Sequence, residues 1–230
     1  NFDPKIYGVL TEQNFPVSED DFVSLMMSCY IPYVNTWTYS LYASSGNMHP
    51  WYIPAGGVLK MFDSTSDMQA IWQSGVWSTN YRNITEANFK NCVYATRGAL
   101  TDDLPNHYPK TREVTRFTAV IGTIQNAPAA QISETRKNEI LAEARLCRGL
   151  HMYNLLHVFG PVPLIVNPED VENPEALENA ERPALDDITK WIYDDFEFAA
   201  KNAPESQVEK GRFTRDFARV MLMRHCLNEG

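Results

Sequence analysis

Residues 134 to 159 read as a long apolar helix that runs straight into Gly160-Pro161-Val162-Pro163, and this junction limits the fold more than any other stretch. Ile140, Ala144, Cys147, Leu150 and Tyr153 recur at the three-to-four spacing of a buried helical face. Leu146, Leu155, Leu156, Val158 and Phe159 widen that face until little of the helix is left for water. Gly160 can take the left-handed cap conformation, and Pro161 and Pro163 forbid continuation. The helix is therefore buried and ends hard. Glu143 and Arg148 lie five positions apart on it and face different directions, so they cannot simply pair with each other. An unpaired buried charge is costly, so each is expected to reach a partner on a neighbouring helix, and Asn88 is assigned a similar structural role.

Further helices are expected at about 19 to 31, 65 to 99, 112 to 124, 184 to 202 and 214 to 229. Phe22, Leu25, Met26 and Cys29 share one face of the first, with Pro32 closing it; the second has a break near Gly75. Asp102-Asp103-Leu104-Pro105 and Tyr108-Pro109 mark a turn-rich crossing, and Gly160 to Pro183 reads as an irregular surface excursion with one short extended piece near Val162 to Val166. Pro183 suits an N1 position and Thr214 an N-cap. The resulting expectation is an all-α fold of stacked, tetratricopeptide-like helical repeats decorated with long irregular loops. Phe217, Val220 and Met221, on the last helix of such a stack, call for a covering element.

The order of residues around the Gly-Pro junction adds a resemblance. Glu143, Ala144, Arg145, Arg148, Tyr153, Leu155, Phe159, Gly160, Val162, Pro163 and Leu164 follow a pattern similar to that of the SusD/RagB family of surface glycan-binding lipoproteins. Cys147 and Gly149 depart from it, standing where a larger residue and an alanine are common. Three more segments resemble family helices: Trp77, Tyr81, Ile84 and Asn88; Arg182-Pro183-Ala184-Leu185 through Phe196, Ala199 and Pro204; and Gly211-Arg212-Phe213-Thr214 through Leu227. The resemblance implies helical repeats, and a non-catalytic protein lipid-anchored at the cell surface on the outer membrane. Such a protein passes oligosaccharide to a TonB-dependent, SusC-like outer-membrane transporter. It also implies that residues 1 to 230 are the N-terminal half of a longer fold, and that the anchor cysteine is absent from this sequence.

A net charge of −9 disfavours nucleic acid and anionic membrane surfaces as partners, and no apolar run is long enough to span a bilayer. Neither catalytic nor metal-ligating residues nor a cofactor motif is expected. The pairs Asp20-Asp21, Asp102-Asp103, Asp186-Asp187 and Asp194-Asp195 invite a glycosidase reading, but adjacent helical residues point about 100° apart and cannot serve one substrate. They read as solvated or capping acids. Cys29, Cys92, Cys147 and Cys226 show no metal spacing, and the last three sit on apolar helical faces as small core residues.

Function is expected elsewhere. Trp37, Tyr39, Tyr42, Trp51 and Tyr52 crowd into a stretch with no periodic core pattern, beside Asn35, Asn47 and His49. Sugars present flat apolar faces rimmed by hydroxyls, so aromatic rings beside amides suit them. Trp37, Tyr39, Tyr42, Asn47, Trp51 and Tyr52 are accordingly the candidate glycan contacts, whereas Trp72, Trp77, Tyr81 and Trp191, at helical spacing, read as core. The alternative reading is a helical-repeat scaffold for a protein or peptide; a basic or leucine-rich groove would favour it.

Overall fold

The computed structural model describes residues 15–34, 66, 82–83, 85–88 and 107–229, with 34 and 107–110 described by backbone alone. Among them the regular structure is helical. Helix α1 spans Glu19–Met27 and is opened by a capping box in which Ser18 and Asp21 satisfy each other's backbone N–H groups. A 3-10 turn, Ser28–Tyr30, leads into the single turn α2, Ile31–Val34. Pro32 thus does not close the first helix. It falls in the first turn of α2, where a missing N–H costs little.

Helix α3 is His107–Gln125, α4 is Glu134–Phe159, α6 is Leu185–Asn202 and α7 is Arg215–Glu229. Helix α3 begins five residues before its expected start, because Pro109 sits in its first turn rather than in a crossing loop. Ala184 occupies the N-cap position of α6 without a side-chain cap, so Pro183 lies just outside the helix instead of at N1. The Thr214 hydroxyl does cap α7, accepting from the Phe217 N–H at 3.5 Å. The helix expected across 65 to 99 is interrupted: residues 82, 83 and 85 are helical, but Ala87 takes φ 54° and Asn88 folds back, its N–H on the Asn83 carbonyl at 2.7 Å.

Helix α4 is central, packed on one side by α3 and on the other by α6, which in turn packs on α7. Each neighbour runs antiparallel: Phe117 and Thr118 meet His151 and Arg148, and Thr189 and Ala203 meet His225 and Arg215. Two cores result. Phe22, Met26, Phe117, Ile121, Ile124, Ile140, Ala144 and Cys147 form one; Leu146, Met152, Leu155, Ile188, Ile192, Phe196 and Met221 form the other. Burying one such Leu or Phe side chain stabilises by about 1.5–3 kcal/mol. Gly149 permits a close approach of α4 to α6, since a Cβ there would lie 2.9 Å from Phe196 Cε1.

Gly160 stops α4 at φ 69° and ψ −164°, a positive-φ conformation that suits glycine but is not the left-handed cap expected of it. The chain beyond is not the plain surface excursion the prolines suggest. Val162 and Ile165 are buried, and the segment carries a 3-10 turn, Pro168–Asp170, and a short helix α5, Pro174–Glu178. Prolines at the first positions of both turns initiate them, which is compatible with breaking a long helix. Pro163 sits half-buried between the two anchoring side chains.

Candidate functional site

Trp37, Tyr39, Tyr42, Asn47, Trp51 and Tyr52 lie outside the described residues, as do Trp72, Trp77, Tyr81 and Cys92. What can be built from the residues upward is the base from which the aromatic-rich segment departs. Tyr30 and Tyr33, just before it, are both fastened to α4. Tyr30 donates its hydroxyl proton to Glu143 Oε2 at 2.7 Å and accepts from the Phe213 N–H at 2.7 Å. Tyr33 donates to the Cys147 carbonyl at 2.6 Å. The Phe213 ring fills the space between them, 4.9 Å from the Tyr30 ring and 5.5 Å from that of Tyr33.

Glu143 is fully buried, and its partner is Arg212, whose Nε and Nη2 donate to the two carboxylate oxygens at 3.0 and 2.5 Å. This bidentate pair is the physical content of Gly211-Arg212-Phe213-Thr214. Gly211 turns the chain at φ 97°, Arg212 neutralises Glu143, Phe213 packs on the tyrosines, and Thr214 starts α7. The Glu143 hydrogen bond raises the Arg212 pKa further above its ordinary value, while burial pushes the Tyr30 phenol up.

A second buried carboxylate ties four segments. Asp195, on α6, is fully buried and accepts from Arg145 Nε at 2.7 Å and from Arg148 Nε and Nη2 at 2.8 and 2.9 Å. Arg148 Nη1 donates onward to Thr118 Oγ1 on α3 and to the Val166 carbonyl of the excursion, at 3.1 and 2.9 Å. Arg145 also lies over the Phe198 ring at 4.5 Å. The expectation that Asp194-Asp195 are solvated fails for Asp195. Its face of α6 turns toward α4, where two guanidinium groups meet it. Arg148 and Glu143 do have cross-helix partners, as expected, though the sequence does not name them. Asn88 donates to Asn83 Oδ1 at 3.5 Å, within its own turn.

Glu143 and Asp195 each already accept three charge-assisted or phenolic hydrogen bonds, so neither offers a free oxygen to a substrate, and a third buried carboxylate, Glu113, is ion-paired to Arg116 at 3.3 Å. Asp20, Asp21, Asp186 and Asp187 occupy first turns of α1 and α6, where they complement the helix dipoles. Cys29 and Cys147 are buried, and desolvation pushes the first thiol to about 12 and the second well above its ordinary value, which leaves them unreactive. Cys226 is not the core residue its helical face suggests, but exposed. Among the described residues no cluster of His, Cys, Asp and Glu has the geometry to hold a metal ion, and no helix is long and apolar enough to cross a membrane.

The chain matches the SusD-like family model, described as "Starch-binding associating with outer membrane", over residues 34–227. A SusD-like protein of Bacteroides ovatus is 34% identical over 123 residues, covering 51% of this chain and 22% of the relative. Among solved structures, a SusD-like carbohydrate binding protein from Bacteroides fragilis superposes with a TM-score of 0.64 at 20% identity, over 92% of this chain and 37% of that one. Surface glycan-binding protein A from Bacteroides fluxus does so with a TM-score of 0.64 at 19% identity, over 92% and 40%. At that identity the superpositions establish the fold. The chain spans about a fifth of the curated relative's length and about two fifths of the solved ones.

Proposed function

Because the chain belongs to the SusD-like family, a family of carbohydrate-binding proteins associated with the outer membrane, we propose that it is a non-catalytic, cell-surface glycan-capture protein. In this reading it is lipid-anchored and passes oligosaccharide to a TonB-dependent transporter in the same membrane. The observation that carries the reading is the family match over residues 34–227, which includes the aromatic-rich segment. Trp37, Tyr39, Tyr42, Trp51 and Tyr52 supply ring platforms and Asn47 an amide, the combination that holds a sugar's apolar face and its hydroxyls. The role of the helical stack is to carry this segment: Tyr30, Tyr33, Glu143 and Arg212 hold its point of departure. The pairing of the buried carboxylates Glu113, Glu143 and Asp195 with guanidinium groups supports the non-catalytic assignment.

A second reading, a scaffold for a protein partner, draws on one observation. Val220, Met223 and Leu227 are exposed on the outer side of α7 at helical spacing, although Met221, for which a cover was expected, is already buried against α6 and Phe217 is partly covered by Phe213. The two readings separate by calorimetry of neutral oligosaccharides with Trp37→Ala and Trp51→Ala variants that remain folded. Ring stacking contributes about 0.5–1.5 kcal/mol beyond area burial, so each change is expected to weaken glycan binding about 2- to 12-fold. Unchanged affinity in both variants would remove these rings from the glycan site.

A further inference from the structure

We infer that Tyr33 is a positioning residue for the glycan site: its hydroxyl, anchored on the middle of α4, sets where Trp37 meets the sugar. The inference rests on the glycan-binding reading above and on how the chain is held just before residue 35. Three hydrogen bonds fix it there. Arg116 Nη2 on α3 donates to the Ser28 carbonyl at 2.7 Å, the Tyr30 hydroxyl to Glu143 Oε2 at 2.7 Å, and the Tyr33 hydroxyl to the Cys147 carbonyl at 2.6 Å. Residues 28 to 33 are thus clamped between α3 and α4, and Tyr33 makes the last of these bonds before the aromatic-rich segment begins.

The two tyrosines differ in what the fold asks of them. Tyr30 is buried and its hydroxyl also accepts from the Phe213 N–H, so removing that oxygen leaves a part-buried backbone donor short of its acceptor. Tyr33 carries no such obligation. Cys147 stands inside α4, where its carbonyl already accepts from the N–H of His151, so the helix does not need a second donor there. Tyr33 is only half-buried, and water can serve its hydroxyl in place of that carbonyl. Its ring lies 5.5 Å from the Phe213 ring at an interplanar angle of 74°, a contact that does not involve the oxygen. What the bond adds is placement: it ties the residue two positions before Asn35 to a fully buried point of α4.

Covalent geometry gives this anchor a short range. A chain extends at most about 3.6 Å per residue, so the Cα of Trp37 lies within about 14 Å of that of Tyr33. Trp51 follows eighteen residues on, and its Cα is bounded only to about 65 Å. The anchor therefore constrains Trp37 and leaves Trp51 to the rest of the molecule. A ring placed before the ligand arrives loses less freedom on binding.

The experiment is calorimetry of maltoheptaose and laminarihexaose binding to the full chain. It compares Tyr33→Phe, Trp37→Ala, Trp51→Ala and the two double variants that combine Tyr33→Phe with each tryptophan change. The urea midpoint of Tyr33→Phe is measured beside them and is expected to match that of the parent. One hydrogen bond is worth about 2- to 12-fold in an equilibrium constant, so Tyr33→Phe is expected to weaken binding within that range. Trp37→Ala is expected to cost less in the Tyr33→Phe background than alone, because the ring has already lost its placement, whereas Trp51→Ala costs the same factor in both. A general structural role would not single out one tryptophan. Unchanged affinity in Tyr33→Phe, with Trp37→Ala weakened, overturns the positioning role and leaves the glycan reading standing. So does a Trp37→Ala factor that Tyr33→Phe does not alter, or alters no more than that of Trp51→Ala. Unchanged affinity in Trp37→Ala overturns it too, since no contact is left to be placed. A lowered midpoint in Tyr33→Phe overturns the premise that the fold does without the hydroxyl. Absence of binding to both sugars by the parent overturns the glycan-binding reading and this inference with it.

Discussion

Helices α4 and α7 are both apolar around much of their circumference, but α4 has a helix on either side and α7 packs mainly against α6. On α4 the result is burial of nearly every residue from Ile140 to Leu156, including two charges that survive because Arg212 and Asp195 come to meet them. On α7 the inward side, Ala218, Met221 and His225, is buried, whereas Val220, Met223 and Leu227 on the opposite side are 51%, 58% and 76% exposed. Arg219 and Arg224 flank that stripe and stay in water. The contrast shows that the packing of neighbours, rather than the hydrophobic pattern of a helix alone, decides which polar groups must find partners.

The comparison is most severely tested by removing what α4's charges depend on. Asp195→Ala leaves Arg145 and Arg148 without their shared carboxylate, one of them almost wholly desolvated, and is expected to destabilise by about 3–5 kcal/mol in urea denaturation. A loss below about 1 kcal/mol would mean the cluster is solvated in a way its burial does not suggest. Next comes a matched pair of truncations. Leu155→Ala, in the core of α4, is expected to cost about 2–5 kcal/mol, and Leu227→Ala on α7 within about 0.5 kcal/mol. Comparable losses from the two would erase the distinction between the helices.

The smallest effect lies at the seam where the ends of α4 and α7 meet. Burial holds the His157 imidazole below its ordinary pKa of 6.5, against the opposing pull of Glu229. The unfolded chain therefore takes up the proton first as pH falls. Stability from the neutral ring is present above about 6.5 and is lost as pH drops from there toward the depressed folded value. Denaturation midpoints at pH 7.5 and 5.5 are expected to differ less in His157→Gln than in the parent; an equal or larger difference would place the titration elsewhere.

Much of the stack was legible in the sequence because its signals are local. The three-to-four spacing of Ile140, Ala144 and Cys147 gave α4, and Gly160 with two prolines gave its end. Pairing is not local. Arg148 and Asp195 are 47 residues apart and Glu143 and Arg212 are 69 apart, so a sequence can show that a buried charge needs a partner without showing which residue supplies it. The Gly-Arg-x-Thr segment was recognisable by resemblance, but its arginine's destination depends on tertiary packing. Short turns such as Pro174–Glu178 carry too few residues for a period to emerge. Cys226 was misplaced because α7 is apolar on more than one side, and periodicity cannot tell a covered side from a bare one. The aromatic candidates at 37 to 52 lie outside the described residues, so their assignment rests on their density and on the lack of a core period around them.

The central claim, capture of neutral glycan, is tested most directly by native affinity electrophoresis of the chain through gels containing soluble starch, laminarin or heparin. The account predicts retardation in at least one of the two neutral polysaccharides and unchanged mobility in heparin, as the net charge of −9 requires. Unchanged mobility in both neutral gels, or retardation in heparin alone, would contradict it.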